Sequence, residues 1–199
     1  MPKISRRDDV RATAARVFRE YGYSSATMDL IADTVGLNKG TLYHYYPSKS
    51  AILFELLSDQ IDETIALADK VPSDAQPSER LRELVRLQVE RVAGVSDEVA
   101  VFFHEIPWIE KNLPAEQVKD LRQRIDTYRR ITEGLLTDGS AAGELRGMDV
   151  AMIQYSIIGV LAYVPEWFRH RSPEATAEVV DGLSTFVMSG VLRSGFGSA

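Results

Sequence analysis

Side chains suited to recognising nucleic acid are concentrated between Thr27 and Lys49 of this 199-residue chain. Amide, hydroxyl and imidazole groups can hydrogen-bond to base edges, and lysine ammonium groups can pair with phosphates. Glycine permits close approach of the backbone, and an aromatic ring can contact the methyl group of thymine. The segment therefore favours binding chemistry over catalysis. Its candidate contacts are Thr27, Asn38, Lys39, Gly40, Thr41, Tyr43, His44, Tyr45 and Lys49.

Each of these residues also has a plainer explanation. Residues 39–41 are typical of any exposed first helical turn, and Lys49 is typical of a solvated surface. Thr27 can cap its helix, contact a phosphate, or do both. Consecutive aromatic side chains can pack in a core instead of facing DNA, and we expect Tyr46 to do so because it follows Leu42 by four positions.

Two short helices joined by a tight turn must position these side chains. The first has an apolar face within residues 28–35 and must stop at Gly36, since glycine adopts positive φ without steric cost. Asn38 is predicted to cap the second helix, and Leu42 returns to the core. The small side chain of Ala32 lets the two helices cross closely. This arrangement is typical of a helix-turn-helix, whose second helix enters the major groove of DNA.

The charge distribution supports a DNA-binding segment, although the net charge of −6 does not. Residues 1–50 contain eight Lys or Arg and five Asp or Glu, a net charge of +3. Residues 51–199 contain 15 basic and 24 acidic residues, a net charge of −9. Binding to phosphates needs local positive charge, and an acidic remainder limits non-specific binding.

The composition provides little material for an enzyme. The chain has no cysteine and three histidines, at positions 44, 104 and 170. His104 and Glu105 are adjacent, so on a helix they point about 100° apart, which does not suit a shared metal. We therefore expect no catalytic residue, no metal and no cofactor. The remaining alternative is a helical adaptor that binds protein. The salt dependence of binding distinguishes the two, because DNA binding weakens steeply as the salt concentration rises whereas apolar docking to a protein does not.

Helical periodicity extends along nearly the whole chain and predicts an all-α fold of about nine helices. The first helix should contain Val10 and Tyr21 and end at Gly22. Loops are predicted at residues 71–79 and 138–147. The last two helices should span residues 148–169 and 173–193, followed by a disordered tail, SGFGSA.

The predicted organisation is a helix-turn-helix DNA-binding domain, residues 1–50, before a larger helical ligand-binding and dimerisation domain, residues 51–199. The longest uncharged apolar run, Val150–Pro165, is shorter than the roughly 20 residues that span a bilayer. It therefore predicts a buried helix and no membrane. The N-terminus lacks the apolar stretch of a signal peptide and the chain lacks cysteine, which fits a cytoplasmic protein.

The string GLNKGTLYHYYPSK, residues 36–49, resembles the DNA-binding end of the tetracycline-repressor (TetR) family of bacterial regulators. The resemblance implies a dimeric, all-helical transcription factor that binds a double-stranded DNA operator and responds to a small-molecule effector. It also implies that Lys49 corresponds to a phosphate-binding lysine of the family.

The resemblance further implies an effector cavity between the middle helices and a homodimer through the last two. Apolar and small residues alternate in both last helices, which suits a four-helix bundle across a two-fold axis, although an intramolecular core fits nearly as well. Aromatic residues and polar residues on buried faces are the pocket candidates. They are Gln88, Phe103, Trp108, Arg122, Tyr128, Gln154 and Trp167.

Residues 113–193 resemble, more loosely, the TetR-family regulators of fatty-acid or steroid degradation that respond to acyl-CoA thioesters. The shared features are NLP, GELR and the tryptophan in EWFRHRSPE, here Trp167. The segment Ala162–Pro165 departs from the polar-aromatic pair expected before that tryptophan. An acyl-CoA would need an apolar slot and arginines for its phosphates, such as those of residues 122–130.

Overall fold

A computed structural model describes residues 5–94, 97–168 and 172–194. Within these ranges the chain forms nine helices of at least seven residues, one four-residue helical segment and two short 3₁₀ turns, with a single isolated β-bridge. The predicted all-α fold is therefore confirmed. The predicted tail and the end of the penultimate helix at Arg169 lie outside the described residues. The helices are α1 (Arg6–Tyr21), α2 (Met28–Val35), α3 (Lys39–Tyr45), α4 (Lys49–Ala66), α5 (Pro77–Ala93), α6 (Asp97–Glu105), α7 (Ile109–Asn112), α8 (Ala115–Ala141), α9 (Val150–Trp167) and α10 (Pro173–Val191).

The ends of the N-terminal helices follow from local sequence. Helix α1 ends at Gly22, whose φ is 77°. Thr27 caps α2 by accepting a hydrogen bond from the N–H of Leu30, and Ser48 caps α4 by accepting one from the N–H of Ala51. These side chains satisfy amide groups that a helix leaves unpaired in its first turn. The helix boundaries predicted around the turn are confirmed.

Helix α8 is longer than predicted, because the expected loop at residues 138–147 begins only after Ala141. Gly139 lies inside the helix, where a Cβ atom would come within 3.1 Å of Leu145 Cγ. This glycine therefore provides space for a neighbouring side chain and does not break the helix. The turn itself uses Gly143, whose φ is 72°.

The contacts divide the chain into two compact units, each made of two stretches of sequence. Among the described residues, the first contains residues 5–61 and 97–123, and the second contains residues 62–94, 124–168 and 172–194. The predicted functional boundary near residue 50 stays a prediction. The compact units differ from it because α6 packs against α1.

The first unit joins α1 to α6 through both core packing and charge. Val10, Ala14 and Phe18 are buried on α1, and Val99 and Val101 are buried on α6. At the surface of the same contact, the guanidinium of Arg19 lies 2.6 Å from the carboxylate of Asp97, and that of Arg11 lies 3.7 Å from Glu98. Helix α6 is therefore part of the same core as the helix-turn-helix.

In the second unit, α5 packs against α9 and α10. The loop before α9 is fixed by the GELR residues. Glu144 is buried and accepts a hydrogen bond of 2.7 Å from the N–H of Ser78 at the start of α5. Arg146 donates hydrogen bonds to the carbonyl groups of Leu192 and Ser189 at the end of α10.

Helix α9 is buried on only one face, so the prediction of a buried helix was wrong for its other face. Helix Val150–Trp167 is long and apolar enough to cross a membrane by length and composition, a test that core helices of soluble proteins also pass. About 33% of it is buried. Ile153, Ile157, Leu161 and Val164 form the buried face, while large apolar side chains continue around the helix. Those exposed side chains are Met152, Tyr155, Tyr163 and Trp167.

Two glycines of α8 provide a test of this packing. A methyl group added at Gly134 would meet no neighbour within 4 Å, whereas one added at Gly139 would lie against Leu145. We expect Gly134→Ala to raise the free energy of unfolding by up to about 1 kcal/mol, because alanine favours the helix. Gly139→Ala should be less stable than Gly134→Ala by at least about 1 kcal/mol, because the added methyl overpacks the site. Urea denaturation measures both, and equal stabilisation would contradict the assigned role of Gly139.

Candidate nucleic-acid interface and ligand cavity

The turn between α2 and α3 sets the direction of α3. Gly36 has a φ of 72°, in the left-handed region, and the N–H of Leu37 donates to the carbonyl of Ala32 at 2.9 Å. Asn38 then caps α3, since its Oδ1 accepts hydrogen bonds from both the N–H and the hydroxyl of Thr41, at 2.8 and 2.9 Å. The glycine reversal and the cap fix the N-terminal end of the helix.

The C-terminal end of α3 is fixed by a polar cluster that the sequence did not indicate. Tyr46 is 1% exposed and its hydroxyl donates a 2.7 Å hydrogen bond to Glu55 Oε1. The guanidinium of Arg7 pairs with Glu55, lies 4.3 Å from the centre of the Tyr46 ring and donates to the carbonyl of Tyr45. Burial would raise the pKa of Glu55, but the hydrogen bonds from Arg7 and Tyr46 outweigh it and lower that pKa. The prediction that Tyr46 is a core residue is confirmed.

The predicted DNA contacts before Lys49 lie together at the surface of the first unit. The Lys39 side chain is 60% exposed and its ammonium lies 2.8 Å from a carboxylate oxygen of Asp29. Tyr43 is 42% exposed, and His44 is also exposed. Gly40 is exposed and leaves room for close approach. Of the remaining residues, Thr27 and Asn38 are exposed and Thr41 and Tyr45 are half-buried.

Lys49 is placed differently. Its ammonium donates to the carbonyl oxygens of Tyr23, Ala26 and Ser24, at 2.6, 2.7 and 3.4 Å. The same group lies 4.4 Å from the centre of the Tyr23 ring. Burial lowers the pKa of Lys49, and the negative charge of Glu105 opposes this shift. All three N–H groups of the ammonium thus have acceptors within the chain.

The second unit contains a narrow, nearly apolar cavity between α5, α8 and α9. Its empty space is about 280 Å³, including space open to solvent. The part of this space that is wide enough for water is about 10 Å³, which is roughly the room that one water molecule needs. The lining side chains carry no charge. They are Leu81, Leu84, Val85, Gln88, Tyr128, Thr132, Leu136, Gln154, Ile157 and Ile158.

Two pairs of polar side chains lie in this cavity. The amide of Gln88 donates a 2.7 Å hydrogen bond to the hydroxyl of Tyr128. Burial raises the pKa of Tyr128 to about 12, and the hydrogen bond from Gln88 opposes this shift. The amide of Gln154 donates to the hydroxyl of Thr132. Three residues predicted from the sequence as ligand contacts, Gln88, Tyr128 and Gln154, are therefore brought together.

Two family profiles match the chain. Residues 10–56 match the profile described as bacterial regulatory proteins, tetR family, and residues 74–191 match the tetracyclin repressor-like C-terminal domain. The chain belongs to the TetR family of transcriptional repressors. The helix-turn-helix predicted from the sequence is thus its DNA-binding element.

Several transcriptional regulators are similar to this TetR-family repressor over most of its length. The transcriptional repressor KstR2 of Mycobacterium tuberculosis is 27% identical and aligns over 96% of this chain and 95% of its own. The structure of that ketosteroid regulator is similar with a TM-score of 0.85 at 25% identity, covering 96% and 97% of the two chains. A structure of AibR in complex with isovaleryl coenzyme A and operator DNA has a TM-score of 0.77 at 26% identity, covering 92% and 97%.

The other four predicted ligand residues do not line the cavity. Trp167 is 47% exposed on α9. Phe103, Trp108 and Arg122 belong to the first unit, where Trp108 is 55% exposed and Arg122 pairs with Glu110. These residues were selected because they are aromatic or basic and lie in the C-terminal part of the chain. Helical periodicity, however, does not distinguish a residue that lines a cavity from one that makes any other apolar contact.

The second unit of this repressor also exposes an apolar face on α9 and α10. Tyr155 and Tyr163 are 65% and 66% exposed, and Phe186 is 68% exposed. Gly159 and Gly190 are exposed on the same helices, and a methyl group added at either would meet nothing within 4 Å. Glycine costs helix stability, so packing inside the protomer does not account for these glycines.

Proposed function

We propose that this repressor is cytoplasmic, binds a palindromic double-stranded DNA operator as a homodimer, and is released by a small, largely apolar effector. The observation that carries the proposal is the exposed N-terminal face of α3, which the Gly36 turn and the Glu55 cluster hold at both ends. Because both ends of the helix are fixed before binding, it can present its side chains to the major groove without having to fold on DNA.

In the proposed complex, base edges are contacted from the first turn of α3 by Lys39, Gly40 and Thr41, with Asn38 next to them. Tyr43, His44 and Tyr45 reach phosphates or thymine methyl groups, and Thr27 contacts phosphate at the start of α2. Lys39 must exchange its ion pair with Asp29 for the DNA, a small cost because both side chains are exposed.

We expect Lys39→Met to reduce the salt dependence of DNA binding and Thr41→Ala to alter the preference among operator sequences. The Lys39 ammonium would neutralise phosphate charge even while it contacts a base edge, so its removal should lower the slope of log K against log salt by up to about 0.9. Thr41 is uncharged, so loss of its base contact should leave that slope unchanged. Fluorescence anisotropy with duplexes selected from a random pool measures both effects. The exposed Lys111 provides a control, as Lys111→Met should match wild type.

If DNA binding by the wild type were insensitive to salt, or absent, the chain would instead act as a helical adaptor that binds protein. If both variants bound every selected duplex like wild type, the assignment of contacts to α3 would be wrong.

The effector is proposed to bind in the cavity of the second unit and to exchange the hydrogen bond between Gln88 and Tyr128. The uncharged lining favours a neutral apolar group with one hydrogen-bonding atom, because an unpaired buried charge is costly. The cavity holds little more than one water, so the effector must select a wider state. Helix α4, which has residues in both units, is our candidate for transmitting this change to the DNA-binding helices.

An acyl-CoA thioester fits these requirements, since its acyl chain is neutral and its carbonyl can accept a hydrogen bond. The similar structure of AibR with isovaleryl coenzyme A supports this class of ligand. Arginines of α8 are candidates for the coenzyme phosphates, although Arg129 pairs with Asp126 and Arg122 with Glu110 in this structure.

We expect a series of acyl-CoA thioesters to release the repressor from DNA, and the free acids of the same chains to fail at neutral pH. The carboxylate would have to enter a cavity with no charged partner. Tyr128→Phe should raise the concentration needed for release several-fold, as expected for about 1 kcal/mol from one hydrogen bond. The matched control is Tyr21→Phe, at a tyrosine that is 50% exposed in the first unit. Equal release by acids and thioesters would contradict the proposed ligand chemistry.

The homodimer is proposed to form through the exposed face of α9 and α10, defined by Met152, Tyr155, Gly159, Tyr163, Trp167, Phe186 and Gly190. Its aromatic side chains supply apolar area, and its glycines allow two helices to approach closely. Two copies of the pair would form a four-helix bundle. The two α3 helices would then lie about 34 Å apart, one turn of DNA.

Gly159→Leu should convert the dimer to a folded monomer that no longer binds a palindromic duplex. A Cβ atom added at Gly159 would meet nothing within 4 Å in the protomer, whereas in the proposed dimer a leucine side chain would collide with the second copy. Gly134→Leu is the matched control, since Gly134 is an exposed α8 glycine with equally open surroundings outside this face. Sedimentation velocity reports the mass and circular dichroism the fold. A Gly159→Leu variant that remained dimeric would exclude this face as the interface.

A further inference from the structure

Lys49 lies where the family resemblance implies a phosphate ligand, but its ammonium is directed into the protein. We propose that Lys49 is a positioning residue for DNA binding. It holds the loop between α1 and α2 through three carbonyl groups and thereby sets the position of α2 and α3. This inference rests on the proposed DNA-binding function and assigns a different role to one residue of its site.

The loop that Lys49 contacts leads directly into the helix-turn-helix. Its residues 22–26 are closed on one side by the hydrogen bond from the N–H of Ala26 to the carbonyl of Gly22, at 3.1 Å. The Lys49 ammonium binds the carbonyls of Tyr23 and Ala26 from the other side, at 2.6 and 2.7 Å. Thr27, the cap of α2, is the next residue. Lys49 therefore anchors the point at which α2 begins.

Lys49 is half-buried, and several residues around its ammonium are buried. Tyr23 is 7% exposed, Ala26 is 2% exposed and the carboxylate-bearing Glu105 is 4% exposed. Glu105 accepts a 2.8 Å hydrogen bond from the amide of Asn112, and the Tyr23 hydroxyl donates to the Asn112 carbonyl at 3.3 Å. The ring contact with Tyr23 adds a cation–π interaction.

This arrangement connects α4, the α1–α2 loop and the α6–α7 segment within the first unit. Removing the ammonium would leave the carbonyls of Tyr23 and Ala26, which are both buried residues, without this donor. The expected result is a displaced loop, since unpaired buried carbonyls are unfavourable. Replacing it with guanidinium would keep the charge but not the geometry, because a planar fork does not match three carbonyls that converge on one nitrogen.

The test compares Lys49→Met and Lys49→Arg with wild type, all as full-length protein, using a duplex selected from a random pool and a scrambled duplex. We expect both variants to bind each duplex at least about tenfold more weakly, as loss of hydrogen bonds to a charged group implies. The slope of log K against log salt should equal that of wild type, because no phosphate contact is lost. Hydrogen exchange should increase at the amides of residues 23–30 in both variants.

The opposite result identifies a phosphate ligand. Wild-type affinity in Lys49→Arg, or a slope reduced by about 0.9 in Lys49→Met, would overturn the positioning role. If Lys49→Met does not fold, Lys49→Arg decides by itself between retained and weakened binding. Salt-insensitive or absent DNA binding by the wild type would instead reject the proposed function, so the two failures are distinguishable.

Discussion

The recognition of DNA by this protein depends on a helix that is too short to exist alone. Helix α3 has seven residues, whereas isolated helices shorter than about 12 residues are marginal in water. Its shape must therefore come from tertiary contacts. Leu42 and Tyr46 provide them by being buried almost completely. The hydroxyl of Tyr46 donates its hydrogen bond to Glu55, which Arg7 pairs with in turn.

The helix-turn-helix support and the cavity use different kinds of polar pair, and this difference suits their proposed tasks. In the first unit, charged side chains are paired across helices, as in Arg19 with Asp97, which favours one geometry. In the cavity of the second unit, neutral amides and hydroxyls such as Gln88 and Tyr128 bind one another. Such pairs can be exchanged for a ligand without leaving a buried charge unpaired. The proposed division into a DNA-binding part with one fixed geometry and an adaptable effector cavity is consistent with these two kinds of polar pair.

The sequence predicted features that depend on neighbours along the chain, and it failed where distant partners decide. Gly36, Asn38 and Thr27 act within a few residues, so their turn and caps were predictable. Glu55 and Arg7, or Lys49 and the carbonyl of Tyr23, are brought together only by folding, and no local pattern indicates them. The helical pattern of α9 was visible in the sequence. However, a helix that buries one apolar face and exposes another has the same pattern of apolar residues as a fully buried helix.

The pairing of α6 with α1 has a consequence for how the protein is made. The helix-turn-helix is synthesised first, yet its core includes Val99 and Val101, and its loop is held by Asn112. The ribosome must therefore release residues as far as Asn112 before the DNA-binding unit can be completed. For the same reason, a chimera that exchanges only the residues of the N-terminal family profile would separate this unit from part of its own core. The DNA-binding unit of this repressor is contiguous in space, but the residues that form it are not contiguous in the sequence.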